Sequence, residues 1–350
     1  MIVVTSAHDN QSPSTRRPTI TDVARAAGVS IAVVSYALNG RPGVSAATRE
    51  RVLRVADEFG WRPNAAARSM RSGSRSVGMV VDRAAGVAGR ANGVLEFVTA
   101  AQDVLAPRDV ALALQIVGDA EQAVETSRRW WAERRFDVML VTDVLDMDPR
   151  IEVLRRARVP AVVVGAPAAA RGLPTVWYDD AGAYRRVGDY LLALGHRRLA
   201  AVTGPAALHR TGQRAGVLAE VVRQAGGTFV HEPTAGTLED GAAAVRRLLT
   251  STTPPTALVL DGDETAITAL DVARRSGLEV PWDVSVVAAS DSSLCRLATP
   301  SVTALPSVQA ALGRAAGEAV LTLLDGGELT DTTIPAGSLA VRGSTGPRAR

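Results

Sequence analysis

The side chains that usually carry catalysis do not form a catalytic set in this sequence of 350 residues. Ser292, Ser293 and Cys295 offer nucleophiles, but no base with an orienting carboxylate stands at an interpretable spacing from them. The Asp179-Asp180 pair suggests acid–base chemistry between two carboxylates. Acidic residues are also favoured where a helix begins, and we prefer that interpretation. The sequence therefore predicts a protein that is not an enzyme.

Metal and cofactor sites are no better supported. The four histidines lack metal-ligand spacing, and the single cysteine excludes both a cysteine-based zinc site and an internal disulfide. His196, in a Leu-Gly-His-Arg-Arg turn, is interpreted as structural. No G-x-G-x-x-G follows a predicted strand, and no Walker A sequence occurs. We expect neither a metal nor a nucleotide cofactor.

Basic charge is concentrated at one end of the chain. All 39 basic residues are arginine, and the net charge is +3. Residues 1–76 hold 11 arginines against 5 acidic residues, or +6, whereas the remainder holds 28 against 31, or −3. A basic module on a faintly acidic body favours a polyanionic partner for the module.

Three short helices are predicted in this basic segment, after a polar leader at residues 1–17 that we expect to be disordered. Thr19, Ser30 and Ser45 are typical N-cap residues and precede apolar residues at helical spacing. The turn at Gly28 joins the first two helices as in a helix-turn-helix, whose second helix enters the major groove of DNA. A helical hairpin formed for packing alone would show the same pattern.

Beyond residue 76, short apolar strands alternate with amphipathic helices. Such alternation predicts parallel sheets with right-handed crossovers, and about 270 residues favour two similar sheets side by side. Ligands of such folds lie at the carboxyl ends of the strands, here in a cleft between two lobes. The predicted strands are 77–81, 110–116, 138–141, 161–164, 199–203, 257–260 and 284–289.

Residues 18–78 resemble the DNA-binding segment of the LacI family of bacterial transcription repressors, without gaps. The resemblance implies an all-α helix-turn-helix domain (18–63), a hinge helix and linker (64–76), and an α/β two-lobed, periplasmic-binding-protein-like type I domain (77–345). The matching residues include Thr19, Asp22-Val23-Ala24, Ala27-Gly28-Val29-Ser30, Val34-Ser35, Leu38-Asn39-Gly40, Val44-Ser45, Thr48-Arg49 and Pro63-Asn64.

By this resemblance, Ile31, Ala32 and Tyr36 fall where the family reads base edges. Ile31 and Ala32 offer only apolar contact, for instance to a thymine methyl group, while Tyr36 offers its hydroxyl. Thr19 and Ser30 are explained equally well as helix caps, as phosphate contacts, or as residues with both roles. The residues that match the family's phosphate contacts are Thr19, Ser30, Ser35, Asn39, Thr48 and Asn64.

Residues 64–71 match the family's hinge helix, which orders on DNA and inserts an apolar wedge into the minor groove. Met70 stands where the family usually has Leu, and an unbranched apolar side chain suits the same role. Arg68, Arg71 and Arg75 flank it and would lie near phosphates. The alternative is a solvated Arg/Ser/Gly linker over residues 69–76.

The predicted two-lobed domain departs from the family at its ligand-binding positions. Gly212 stands where an effector-binding Arg is usual, Gly236 where an aromatic is frequent, and Ser290 where an Asp is usual. The Asn-Asp pair of the family becomes Gly262-Asp263, and its Asn-Pro-Phe-Phe stretch is replaced at residues 84–91. Because sugars are bound by carboxylate, Arg and aromatic groups, we expect an effector other than a typical sugar, or none.

Five side chains are candidates to line the cleft that remains, and each is as readily interpreted as a loop or structural residue. They are Trp177, Arg210, Asp263, Ser290 and Asp291.

The sequence thus predicts a DNA-binding regulator, most simply a repressor that binds a palindromic operator as a homodimer. The alternatives are an effector-independent regulator with a degenerate cleft, a small-molecule binding protein, and an enzyme. A binding protein would not need residues 18–76, and neither an export signal nor an apolar run of about 18 residues is present. We expect a cytoplasmic protein.

Overall fold

A computed structural model describes residues 19–38, 42–59, 75–83 and 91–348 of the chain. The chain divides into two compact units, the first ending at Ser74 and the second beginning at Arg75. Each unit has its own hydrophobic core and is described by itself below.

The first unit contains three helices: α1 (Ile20–Ala26), α2 (Ile31–Leu38) and α3 (Ala46–Glu58). Gly28, in the turn between α1 and α2, has φ +65°, a left-handed conformation that glycine adopts at little cost. None of the helices in the described part of the chain has by itself the length and hydrophobicity needed to span a membrane. Helices α1 and α2 reach that length and hydrophobicity only when taken together, and the angle between them is 99°.

The three helices begin where their capping residues predict. Asp22 accepts hydrogen bonds from the backbone N–H and the hydroxyl of Thr19, at 2.8 and 2.6 Å. Ser30 Oγ accepts from the Val33 N–H, and Ser45 Oγ accepts from the Thr48 N–H. These bonds satisfy N–H groups that have no partner inside the helix, which fixes the helix starts. The helices enclose a small core of Val23, Ala24, Ala27, Val34, Ala37, Val52 and Ala56.

The second unit alternates strands and helices. Its strands are β1 (Ser76–Asp82), β2 (Ala111–Val117), β3 (Val138–Val141), β4 (Ala161–Val164), β5 (Thr175–Tyr178), β6 (Arg198–Thr203), β7 (Thr228–Pro233), β8 (Ala257–Leu260), β9 (Ser285–Ala288), β10 (Thr303–Ala304) and β11 (Thr332–Ile334). Its helices are α4 (Ala91–Leu105), α5 (Ala120–Ala132), α6 (Pro149–Arg156), α7 (Pro167–Ala170), α8 (Asp180–Ala193), α9 (His209–Gln224), α10 (Leu238–Leu249), α11 (Asp263–Arg275), α12 (Ser293–Leu297) and α13 (Gln309–Leu324).

Two separate sheets form from these strands, as the alternation predicts. One has the order β11-β5-β4-β3-β1-β2 and the other β10-β9-β8-β6-β7. Every pairing between the named strands is parallel; for example, Val77 of β1 lies opposite Leu112 of β2 and Val138 of β3. Helices cover the sheets because strands buried on both faces need apolar partners on each side.

The seven predicted strands are all present, and none of their ends is shifted by more than one residue. Four strands were not predicted: β5, β7, β10 and β11. β7 and β11 lie at sheet edges, where polar residues replace the apolar run of a central strand. β10 has only two residues, too few for a sequence pattern.

Helices α4 and α13 approach each other closely at two glycines of α13. A Cβ on Gly313 would overlap the carbonyl oxygen of Phe97, and one on Gly317 would lie 3.1 Å from the carbonyl oxygen of Ala101. Since the obstacle is backbone, a side chain at either position would force the two helices apart.

We therefore expect Gly313→Ala to lower the free energy of unfolding by about 1–3 kcal/mol, despite the better helix propensity of alanine. Gly216→Ala in α9 is the matched control, because its Cβ would meet nothing within 4 Å. The control should be stabilised by about 0.5–1 kcal/mol. Chemical denaturation of both variants checks this, and equal effects would contradict the close approach.

Candidate DNA-reading helix and ligand cleft

Helix α2 turns one face to the core and the other to solvent. Val34 and Ala37 are buried, whereas Ile31 is 48% exposed, Tyr36 is 44% exposed and Ala32 is exposed. At 100° per residue, the three exposed residues fall within a single arc of the helix surface. The residues predicted to read base edges therefore share one solvent-facing surface, which we call the α2 face.

The remaining contacts of α2 hold this face in place. The Arg49 guanidinium of α3 donates a 3.1 Å hydrogen bond to the carbonyl oxygen of Ala37, one of the groups left open at the end of α2. Val52 and Ala56 of α3 pack in the same core as Val34. The sequence pattern did not single out Arg49 for this positioning role.

The predicted phosphate contacts are partly engaged within the protein. Thr19 and Ser30 cap their helices, and the Thr48 hydroxyl accepts a 2.8 Å hydrogen bond from Ser45. Ser35 is half-buried, on the helix that bears the α2 face. These residues stay predictions as DNA contacts.

Several predicted positions lie outside the described residues. They are the leader 1–17, Asn39, Asn64, Arg68, Met70, Arg71 and the stretch 84–90. Arg75, expected beside the hinge, forms an ion pair with Asp325 in the second unit, and Arg108 pairs with the same carboxylate.

A cleft runs along the carboxyl ends of both sheets of the second unit. One part, of about 910 Å³ including the space open to solvent, is lined by residues that follow β3 and β4, by the end of β5 and by the start of α9. A second part, of about 670 Å³ on the same basis, is lined by residues that follow β8 and β9. The two parts share Gly93, Tyr178, Asp180, Arg214, Val308 and Gln309, and so form one continuous cleft.

Arg214 of α9 lies at the junction of the two parts. Its Nε donates to Asp180 at 2.7 Å and its Nη1 to Asp261 at 2.5 Å, while its guanidinium carbon sits 5.2 Å from the centre of the Tyr184 ring. Burial raises the pKa of Tyr184 well above its ordinary value, and Asp261 and Asp180 raise it further against the opposing charge of Arg214. The Tyr184 hydroxyl therefore stays protonated and donates to Asp261 at 3.0 Å.

A second buried ion pair shapes the loop after β3. Arg150 is bound to Asp148 at 2.7 Å, and its side chain is only 6% exposed. The same guanidinium donates to the carbonyl oxygens of Thr142 and Asp143, at 2.9 and 3.1 Å. Asp143 has φ +50°, an unfavourable conformation for a residue with a side chain, so these bonds help to hold it. Asp143 in turn accepts a 2.6 Å bond from Arg210.

The structure divides the five predicted effector residues. Trp177 and Arg210 line the first part of the cleft, and Asp263 and Ser290 line the second. Asp291 is not among the residues that line either part. Both of its carboxylate oxygens accept from Arg342, at 2.9 and 2.7 Å.

Two arginines line the cleft. Arg210 is one of the predicted residues, whereas Arg214, two residues after Gly212, was not predicted and lines both parts of the cleft. Residues i and i+2 differ by 200° around a helix, so a short sequence count cannot tell which of them faces a cleft. Asp143, Tyr178 and Asp180 also line the cleft. They lie at or just after the ends of β3 and β5, where ligands of this fold class are expected, but no motif singled them out as cleft residues.

Of the catalytic candidates, Asp180 lines the cleft, where it is paired with Arg214, whereas His196 and Asp179 make structural contacts. His196 is buried, with Nδ1 3.0 Å from the Thr256 hydroxyl and Nε2 3.1 Å from the Gly346 carbonyl oxygen. Burial lowers the pKa of His196, although the bond to Gly346 opposes this. Asp179 caps α8 by accepting from the Gly182 N–H at 2.9 Å. Both arrangements are those of structural residues.

A packed helix-turn-helix with an exposed second helix, followed by a two-sheet domain with a cleft, is the architecture of a DNA-binding regulator with a periplasmic-binding-like second domain. Residues 19–64 match the family described as bacterial regulatory proteins, lacI family, and residues 189–345 match a periplasmic binding protein-like domain. The chain belongs to the LacI family. It has the type I periplasmic-binding-like fold and is a DNA-binding transcriptional regulator rather than an enzyme.

Curated relatives cover nearly the whole chain. The transcriptional regulator AglR of Rhizobium meliloti is 31% identical over 91% of this chain and 92% of its own length. The repressor CytR of Escherichia coli is 30% identical over 93% and 96%.

Solved structures agree with the fold. CelR in complex with cellobiose is 29% identical, with a TM-score of 0.66, over 94% of this chain and 100% of that one. The lac repressor dimer bound to operator is 23% identical, with a TM-score of 0.82, over 95% and 100%, and supports the fold.

Proposed function

We propose that this protein is a sequence-specific repressor that binds a palindromic operator as a homodimer and holds a small effector in its cleft. The observation that carries the proposal is the α2 face, defined by Ile31, Ala32 and Tyr36 on a helix whose other side is packed. Apolar side chains exposed on a helix next to a tight turn suit contact with base edges in the major groove. Such a regulator acts in the cytoplasm, where its operator lies.

Sequence specificity would come from the shape and deformability of the DNA as well as from direct contact with its bases. The α2 face offers no Arg, Asn or Gln at the base-reading positions, so bidentate hydrogen bonding to a base is not available there. A Met70 wedge from each subunit would add readout of a kinkable central step. Residues 64–76 serve in this proposal as the hinge between the helix-turn-helix domain (18–63) and the two-lobed domain (77–345).

The homodimer is supported by exposed apolar side chains on two elements in contact, α4 and β2. Leu95 on α4 and Leu114 and Ile116 on β2 are all exposed. Large apolar side chains grouped on a surface commonly mark an interface, and a two-fold dimer presents two α2 faces to the two halves of a palindrome.

The effector is supported by the size and lining of the cleft. A cleft at the carboxyl ends of parallel strands is the common ligand site of α/β folds. Two arginines, two carboxylates and three aromatic residues line its first part, so groups that bind ligand hydroxyls are present. The relative CelR has a cellobiose complex of known structure, which favours a ligand of similar size here.

Removal of residues 1–74 tests the assignment of DNA binding to the first unit. We expect fragment 75–350 to lose all measurable affinity for double-stranded DNA fragments and to keep a cooperative thermal transition, since its core is separate. Gel shift and calorimetry of the fragment beside the full chain make the comparison. DNA binding that survives in the fragment would contradict the proposal.

A further inference from the structure

The wall of the cleft at the start of α9 holds side-chain donors without acceptors. Arg210 uses Nη1 to bind Asp143 at 2.6 Å. Its Nε and Nη2 are shielded from water and have no hydrogen-bond partner. The Thr142 hydroxyl is also buried and has no hydrogen-bond partner, and the residue is 7% exposed. Both residues line the first part of the cleft.

Such groups are costly to leave as they are. A buried donor without an acceptor has lost its hydrogen bonds to water and gained none in return, so two such donors on one guanidinium are destabilising unless a ligand supplies oxygens. Nε and Nη2 form one edge of the guanidinium, and that edge matches two oxygens of a carboxylate or a phosphate.

The surroundings of Arg210 favour negative charge. It lies in the first turn of α9, a helix of 16 residues whose N-cap, Leu208, makes no side-chain hydrogen bond. The N-terminus of a helix attracts anions through its unpaired N–H groups and its dipole. Each lining carboxylate is paired with an arginine, Asp143 with Arg210 and Asp180 with Arg214, so these charges offset one another, and the preference rests on the helix N-terminus and on the N–H donors that Arg210 leaves open.

The rest of this part of the cleft is largely apolar. Trp177 lines it together with Met79, Val94, Phe97, Val164 and Leu312. A ligand that fits such a wall has an apolar face or a ring beside its charged group.

We propose that the effector is an anion, with a carboxylate or phosphate bound by the Nε–Nη2 edge of Arg210 and by Thr142, and with its body against the apolar wall at Trp177. This inference rests on the proposed function of the cleft as an effector site. It names the chemical class that the chain selects there.

Titration calorimetry of the full-length protein with two matched series tests it. One series is glucose, glucuronate and glucose 6-phosphate; the other is benzyl alcohol, benzoate and phenyl phosphate. In at least one series we expect an anion to bind about tenfold or more tightly than the neutral member. The stronger of the carboxylate and the phosphate identifies which anion the site takes.

Variants connect the preference to Arg210. Arg210→Gln should abolish the advantage of the anion, and Arg210→Lys, which keeps the charge without the two-donor edge, should lose most of it. Thr142→Val removes one hydroxyl and no ion pair, so it tests the same site if Arg210→Gln does not fold. Arg247→Gln is the control, because that side chain is 60% exposed and should bind like the wild type.

Three results would overturn the inference. The first is that the neutral member binds as tightly as the anions, or more tightly, in both series. The second is that the anion keeps its full advantage in Arg210→Gln and Thr142→Val. The third is that no anion binds at millimolar concentration. DNA binding measured on the same samples separates this failure from failure of the proposed function. A protein that binds DNA but no anion keeps its function as a regulator and loses only this ligand class.

Discussion

Replacing Arg150 by methionine is expected to lower the free energy of unfolding by about 3–5 kcal/mol. Asp148 is 1% exposed and has Arg150 as its ion-pair partner. The substitution would leave a carboxylate buried without a countercharge, and it would remove the donor from the Thr142 and Asp143 carbonyl oxygens. Because this single guanidinium serves four acceptors, the fourth being the carbonyl oxygen of Val80, we expect the loss to be among the largest from any one side chain.

The pH dependence of this loss has a definite sign. Burial raises the pKa of Asp148, but the hydrogen bond and charge of Arg150, with the N–H groups of Leu145 and Arg150, outweigh it and leave the pKa below the ordinary value. The ion pair therefore stabilises the wild type at pH values above the pKa that Asp148 has in the unfolded chain. This contribution is lost as the pH falls through the lower pKa that Asp148 has in the folded protein. In Arg150→Met the two backbone N–H groups still bind Asp148, but the guanidinium no longer offsets its burial, so the loss of stability in the variant should shrink on acidification.

Urea unfolding at neutral pH and near pH 3 checks both statements. Arg155→Met on the same helix is the matched control, because Arg155 is 46% exposed and pairs with Glu152 at the surface. The control should stay within about 1 kcal/mol of the wild type. Two results would contradict this role of the Arg150–Asp148 pair. One is a loss of unfolding free energy in Arg150→Met no larger than that in the control, and the other is a loss that grows on acidification.

Replacing Ile31 by glutamate is expected to weaken operator binding by about 3 kcal/mol, roughly 100-fold. The substitution removes an apolar contact from the α2 face and adds a negative charge that would face phosphates. Because Ile31 is 48% exposed, the fold of the first unit should survive.

Leu53→Glu in α3 is the control for this change. Leu53 is also apolar and 46% exposed, but it is not on the α2 face, so its variant should bind DNA within about threefold of the wild type. Fluorescence anisotropy with a labelled operator measures both. Equal losses in the two variants would mean that α2 does not face the DNA.

Much of the first unit could be predicted because its determinants are local. Thr19, Ser30 and Ser45 cap the helices that follow them, and the turn at Gly28 adopts the left-handed conformation that only glycine takes readily. The central strands were predictable for a similar reason, since strands buried on both faces are continuous apolar runs.

The cleft was less predictable because residues distant in sequence build it. Arg214 of α9 binds Asp180, at the start of α8, and Asp261, which follows β8. Because these three residues are far apart in the sequence, no local pattern predicts that they are in contact. Asp291 shows the converse: a carboxylate after a strand is a reasonable ligand group, but Arg342, from the far end of the chain, binds both of its oxygens. Edge strands such as β7 were missed because their exposed positions carry polar residues.

Selection of bound duplexes from a random DNA library, with the purified full-length protein at physiological salt, tests the central claim most directly. The account predicts recovery of a palindrome whose central step is easily kinked, such as a pyrimidine–purine step, because two α2 faces and two Met70 wedges would act about one axis. An asymmetric single site, or only nonspecific binding that disappears with added salt, would contradict it.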